Sequence, residues 1–456
     1  MGKIVPVEKN VDYTLDIIDQ GHEGQGVGKI EGFTVFVEGA IAGESVEVKI
    51  VKVEKNFAFG KLLKILKKSE SRIIPSCPAY ARCGGCQLQH MSYEQQLKFK
   101  TKLVRETIQR IGGMEKVQVN EAIGMNQPWN YRNKAQYPVG TVDGKMVFGF
   151  YASRSHNIIE GEDCIIQDKK SYEIAKYAVG FFQEQKIPAY DEKTGKGTIR
   201  HIMVRTGFKT GEIMLAIVTN AYNFPQSKEF VEYIKLKYPE VVSIVQNINR
   251  RNTNVILGQT NRILCGRETI LDKIGEYTFK ISPLSFFQVN PIQTEVLYNK
   301  AVEFAGLTGE ETVFDLYSGI GTISMFLSAK AKKVYGIEVV EPAVNDAIEN
   351  TKLNNITNTE FICGEVEKIV PEMLRKGIKA DVVVLDPPRK GCERVLIDTV
   401  VEIGTERIVY VSCNPGTLAR DLKIFSEKGY KCEEIQPVDM FPQTYHVECV
   451  VLIEKN

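Results

Sequence analysis

VFDLYSGIGTISMFL, residues 313–327, decides how this chain is read. A short apolar run closes on an acid, Asp315, Gly319 and Gly321 make a tight turn, and a helical pattern starts near Thr322. A glycine turn lets a ligand approach the backbone, and a helix start offers it free N–H groups. A second run, VYGIE (334–338), ends on Glu338, 23 positions after Asp315, where a carboxylate suits two ribose hydroxyls. This is a nucleoside-binding layout. Ser324 stands where G-x-G-x-x-G has its third glycine. That disfavours a pyrophosphate dinucleotide and favours a ligand without phosphate, S-adenosylmethionine.

The same rhythm continues outward. TEFICG (359–364), DVVVLD (381–386) and RIVYVS (407–412) are strand-like, helical patterns lie between them, and ECVVLIEK (448–455) is a last strand. Short apolar runs spaced by helices predict a doubly wound, mostly parallel sheet, a Rossmann-like domain over 281–456. Residues 1–66 read as short strands parted by glycine-rich turns, GHEGQGVG (21–28) and EGAIAGE (38–44), with KNFAFGKLLKIL as closing strands, which predicts a small OB-like β-barrel. Between them, 67–280 holds a cysteine-rich loop, a helix over 93–111 expected against the catalytic domain, and an α+β region. Its strand candidates are 145–151, 201–206, 212–219 and 241–248, with a helix over 227–237. The expected class is therefore multidomain α/β.

At 456 residues the chain has room for about three domains of ~150 residues. No apolar run approaches the ~18–20 residues a bilayer requires, and the first residues have no signal-peptide h-region, so a cytoplasmic protein is expected. Ten cysteines in such a compartment are reduced thiols. Net charge is only +1, which excludes a polycation, yet 46–68 carries seven lysines against two glutamates, a face suited to phosphates.

Five further stretches carry chemistry. RIVYVS runs into Cys413, and Asn-Pro-Gly comes at once after it, a turn expected to expose the thiol, with a helix from about Thr417 to lower its pKa. A thiolate beside a methyl donor suits uracil: attack on C6 makes C5 enolate-like and able to take a methyl group. A base must then remove the C5 proton, and PQTYHVECVVLI offers Glu448, preferred for its place at the strand entrance, or His446. Asp386-Pro387-Pro388 puts a carboxylate on a rigid turn at the ligand edge of the sheet. CPAYARCGGC sets Cys77, Cys83 and Cys86 in one loop, and Cys164 in GEDCIIQD is the best fourth ligand, for zinc or a [4Fe–4S] cluster. Phe286-Phe287-Gln288, ahead of the nucleoside layout, offers an aromatic for stacking and an amide for the cofactor.

Together FFQVN, DLYSGIGTI, GIE, LDPPRKG, YVSCNPGTLARDL and HVECVVLI resemble the RNA (uracil-5-)-methyltransferases, across essentially the whole chain. The barrel resembles a TRAM domain, and the four cysteines resemble the [4Fe–4S] site of the branch acting on 23S ribosomal RNA. The resemblance implies Cys413 as nucleophile and Glu448 as proton acceptor, with cofactor contacts from Gln288, Tyr317, Glu338 and Asp386. It implies iron–sulfur rather than zinc at Cys77, Cys83, Cys86 and Cys164, and ribosomal rather than transfer RNA as partner. No obligate protein partner is evident in the sequence, and a monomer is expected. Two other readings compete. An amino-group methyltransferase needs an aromatic after the two prolines, where this chain has Arg389. That reading would also leave Cys413 idle. A non-enzymatic iron–sulfur RNA-binding protein would have the barrel and cluster as its working parts, and failure to bind S-adenosylmethionine would favour it.

Overall fold

The computed structural model describes residues 5–160 and 163–456. Strands Asp12–Gln20, Gly26–Ile30, Phe33–Glu38, Ser45–Val53 and Phe57–Lys67 close into a barrel. Alternation drives it: Val46, Val48 and Ile50 fill the interior while Glu47 and Lys49 face outward. Two details differ from the sequence reading. The stretch 21–28, read as a turn, contributes Gly26 to Gly28 to a strand, because a Cβ at Gly28 would lie 2.4 Å from Leu15 Cδ1 and only glycine lets the strands approach that closely. The closing segment is one eleven-residue strand, not several. Arg72 pins the barrel to the rest of the chain through the buried Glu44 carboxylate (Nη2–Oε2, 2.7 Å).

The central region is a seven-stranded sheet in the order Thr260–Gly266, Val241–Ile248, Ile213–Thr219, Ile199–Thr206, Lys134–Val142, Lys145–Tyr151, Ile158–Glu160. Helices Lys169–Glu184 and Ser227–Lys237 cover one face; Met203, Met214 and Val245 on the other join the core around helix Pro291–Ala305. Burial on both faces explains why IMLAIVT (213–219) is continuously apolar.

The C-terminal sheet has the order Thr359–Cys363, Lys333–Glu338, Thr312–Leu316, Val382–Leu385, Arg407–Ser412, Glu448–Lys455, Tyr430–Val438, Gln118–Val119. Glu448–Lys455 runs antiparallel to both of its neighbours, whereas the five strands before it in this order are parallel. The order reverses between Thr312–Leu316 and Val382–Leu385, so a ligand crevice opens at their carboxyl ends. Helix Tyr93–Arg110 packs here too: Val104 and Ile108 share a core with Leu418, Leu422 and Phe425.

That helix is also held by an ion pair with no exposed side-chain surface, Lys100 Nζ to Asp439 Oδ1 at 2.5 Å; Lys100 Nζ donates as well to Phe441 O at 3.1 Å. Burial pushes the lysine pKa down, and the aspartate opposes the shift. Breaking such a pair strands a buried charge. We expect Asp439→Ala to lower the unfolding free energy by about 3–5 kcal/mol in urea titrations, and Lys100→Met with Asp439→Leu to recover most of the loss.

Candidate active site

The crevice is built by the turn after Leu316. Tyr317 adopts φ +70°, and its N–H and that of Ser318 both donate to Ile337 O, at 3.0 and 3.1 Å. Gly319 (φ +55°) and Gly321 (φ +80°) complete the turn into helix Thr322–Ser328. A Cβ at Gly321 would lie 2.9 Å from Phe361, whereas one at Gly319 would meet nothing within 4 Å and would stand in open space. Glu338 shapes the turn, accepting from Gly319 N (3.1 Å) and Val340 N (2.9 Å). Asp315 Oδ2 accepts from Ser324 Oγ at 2.5 Å, which gives the serine in the third-glycine position a structural task. Asp315 Oδ1 and Ser318 Oγ are buried without a hydrogen-bond partner. An open glycine cradle, two orphaned polar atoms and an acid at the next strand end fit a nucleoside such as that of S-adenosylmethionine.

The adjoining strand ends bring three groups together. Asp386 follows Val382–Leu385, Cys413 follows Arg407–Ser412, and Glu448, 4% exposed, opens the last strand. Glu448 feels Asp386, and Cys413 feels both carboxyls. Burial, then Asp315, pushes the Asp386 carboxyl up to about 7. Burial, then Asp386, pushes Glu448 up to about 8, with Arg389 pulling the other way. The Cys413 thiol is raised to about 11 by burial, then Glu448 and Asp386, again opposed by Arg389.

Asn-Pro-Gly is not an outward turn. Asn414 Oδ1 caps helix Pro415–Glu427, accepting from Gly416 N (2.9 Å) and Thr417 N (3.4 Å), and Pro415 occupies the first turn. Cys413 is half-buried just ahead of this cap. The expected drop in its pKa is outweighed by burial and two carboxylates. His446 packs against Tyr445 (centroids 4.3 Å apart), and burial followed by Arg389, Lys100 and Arg132 pushes it down to about 4, a poor base at neutral pH. Gln288 is half-buried on a braced segment: Asn133 Nδ2 donates to Gln288 O (3.1 Å), and Asn290 Nδ2 to Met440 O (2.9 Å). Phe287 is core, while Phe286 is 72% exposed and is the ring of the pair free to stack.

Sequence reasoning gave no positive role to Arg389 or Tyr298. Arg389 stood in view inside DPPRKG, but its nearness to Cys413 and Glu448 depends on how three strand ends meet. The Tyr298 hydroxyl, bonded to Thr322 Oγ1 at 3.0 Å, lies near enough to Asp386, Asp315 and Glu448 for their charges to act on it.

Cys77, Cys83, Cys86 and Cys164 line one cavity of about 190 Å³, with Tyr80 and Arg132. Burial, with the other three thiols adding to it and a Gln89 hydrogen bond opposing, pushes Cys86 up to about 12. Among the described residues no three His, Cys, Asp or Glu side chains form a group able to hold a single metal ion.

Fold and crevice define an α/β enzyme domain with a nucleoside crevice beside a thiol and two carboxyls, and comparison with known proteins sharpens this. Residues 245–456 match the tRNA (Uracil-5-)-methyltransferase family model and residues 6–63 the TRAM domain model. An RNA methyltransferase of Clostridium tetani is 54% identical over 453 residues, covering 99% of this chain and 98% of that one. One of Bacillus cereus is 51% identical over 450 residues, covering 99% and 98%. The crystal structure of Pyrococcus abyssi tRNA (uracil-54, C5)-methyltransferase in complex with S-adenosyl-L-homocysteine has a TM-score of 0.78 and 29% identity, covering 97% of this chain and all of that one. The chain belongs to the S-adenosylmethionine-dependent RNA (uracil-5-)-methyltransferase family and carries a TRAM domain. Among the described residues no helix is long and apolar enough to cross a membrane.

Proposed function

We propose that this protein methylates C5 of a uridine in 23S ribosomal RNA through a transient bond between Cys413 and the base. The observation that carries the mechanism is the convergence of Cys413, Glu448 and Asp386 beside the glycine cradle. Tyr317, Glu338, Gln288 and Asp386 would hold S-adenosylmethionine, which would supply the methyl group. The Cys413 thiolate adds to C6, and the electron pair released at C5 takes the methyl group. Glu448 then accepts the C5 proton, the C5–C6 double bond re-forms, and the thiolate leaves. The target base is flipped out or unpaired, because C6 cannot be reached inside a stack. The division of labour is a barrel arm over 1–66, a central cysteine-bearing domain over 67–280 and a methyltransferase domain over 281–456.

Ribosomal RNA is supported by the resemblance of the cysteine ring and barrel to the ribosomal branch. Transfer RNA is supported by the archaeal enzyme, which overlays nearly this whole chain and so shows that a similar overall architecture can serve a tRNA. Mapping 5-methyluridine in both RNAs, from cells with and without the gene, decides between them. A site lost from 23S RNA upholds the proposal; one lost only from tRNA replaces it.

Cys77, Cys83, Cys86 and Cys164 would hold a [4Fe–4S] cluster, which would brace the loop between barrel and catalytic sheet. Anaerobically purified protein should contain about four irons per chain, and Cys83→Ala with Cys86→Ala should lose them. Iron-free wild-type protein of full stability would remove the cluster.

The barrel lysines should dominate phosphate contact. Replacing Lys61, Lys64 and Lys67, all exposed, with glutamine should reduce the slope of log K against log salt by about 2, at ~0.7–0.9 per phosphate contact. An unchanged slope would count against the barrel as an RNA arm.

A further inference from the structure

At one end of the central sheet, strand Val241–Ile248 passes through the connection 249–259 to strand Thr260–Gly266. Four buried polar side chains brace that end. Arg200 Nη1 donates to Asn249 O and Arg251 O, both at 2.8 Å. Asn249 Nδ2 closes the loop onto Val255 O (2.6 Å) and Ile256 O (3.0 Å). Asn247 exchanges two bonds with Gly258, whose Cβ would otherwise collide with Ile248 O. Gln246 Nε2 fixes the facing turn at Ala221 O (3.0 Å) and Tyr222 O (3.3 Å). All four are at most 5% exposed. Arg200 Nε and Gln246 Oε1 are buried without a partner, but the bonds these side chains do make tie the loop and the facing turn into the geometry of a surface feature.

That feature is a cavity of about 220 Å³ lined by Tyr222, Asn249, Arg250, Arg251, Val255 and Gln259, among others. The residues that do no bracing face outward. Tyr222 is 59% exposed, and the Arg250 guanidinium lies over its ring, 5.5 Å from the centroid. Arg251 is exposed as well, and neither arginine has an acidic partner among the described residues. Two unpaired guanidinium groups call for an anion, and an exposed ring against a cavity offers a stacking surface. A nucleotide carries both complements.

We propose that this cavity is a second RNA-contact site, taking an unpaired nucleotide with its base on Tyr222 and its phosphate on Arg250 and Arg251. The opposite end of the same sheet joins the catalytic crevice, since Asn133 bonds both Thr206 and the Gln288–Val289 backbone. The eight-residue strand Ile199–Thr206 separates the two ends by about 25 Å. The site therefore engages RNA several nucleotides from the target and selects a folded substrate over a short one. It rests on the family reading but not on which RNA is methylated.

The test uses the full chain with Arg250→Ala/Arg251→Ala and, separately, Tyr222→Ala. Binding is measured to total RNA from cells lacking the gene and to a short uridine-containing oligonucleotide too small to span both sites. Affinity for total RNA should fall about tenfold in each variant, oligonucleotide binding should stay unchanged, and ultraviolet cross-links at peptides containing 250–251 should vanish from the arginine variant. Equal affinities for total RNA, with no wild-type cross-link there, overturn the site. An equal loss on both probes also overturns it, since it signals a general change in charge or folding. Wild-type protein that binds neither RNA refutes the family's function in this chain instead.

Discussion

Cys413→Ala should abolish methyl transfer, with kcat falling at least about 10⁴-fold, the scale on which removal of a catalytic nucleophile is felt. C5 of uracil is a weak nucleophile, and without a group on C6 there is no electron pair at C5 to take a methyl group. The readout is tritium release from RNA labelled at uridine C5, because that release requires the whole cycle. Serine at 413 should fare little better, since a hydroxyl is far harder to ionise than a thiol even when burial lifts the thiol to about 11. That raised value carries its own expectation. In the resting site two carboxyls, Asp386 and Glu448, oppose the thiolate, and Arg389 is the cation that favours it. Arg389→Ala should therefore slow adduct formation with 5-fluorouridine RNA while leaving S-adenosylmethionine affinity unchanged. Residual tritium release from Cys413→Ala at more than a few per cent of wild type would end the covalent route.

The nucleoside half of this site is legible in the chain because its signals are local. A positive φ demands glycine at 319 and 321, and an acid must stand at the next strand end; both are written within 26 residues. The same holds for Cys413 at the end of an apolar run. The segment after that cysteine is ambiguous in sequence, since Asn-Pro-Gly serves equally as an outward turn and as an N-cap with proline in the first turn. Only the length of the helix it opens, thirteen residues, separates the two. In the central sheet, strands Lys134–Val142 and Thr260–Gly266 give no strand signal, because one carries proline and glycine and the other polar edge residues. The barrel strand at Gly26 is hidden because its glycines are there for close approach, a property of the neighbouring strand. The convergence of Arg389, Asp386 and Glu448 on one thiol depends on strand order, which no local pattern records.

Glu448→Gln should separate adduct formation from turnover. The amide keeps the shape of the side chain but accepts no proton, so Cys413 can still add to C6 and C5 can still be methylated, while the C5 proton stays and the thiolate cannot leave. Product formation should fall by about 10²–10⁴-fold, and a methylated protein–RNA adduct should accumulate as a denaturant-resistant band. Wild-type turnover should rise with pH up to about 8 as this carboxyl ionises, and that limb should be missing from the variant's adduct-forming rate. Stability should move the opposite way. Because the folded pKa is raised from 4.5 to about 8, the folded state binds more protons than the unfolded chain between those values, so this group costs stability as pH climbs through that window. Glutamine removes the cost. At pH 8.5 the variant should melt above wild type by at least about 2–4 °C, the shift expected per kcal/mol in a domain of this size, and at pH 5 the two should converge. A variant that releases tritium normally, or that gains no stability at high pH, would remove Glu448 as the buried base and return the search to the other carboxyl of the cluster, Asp386.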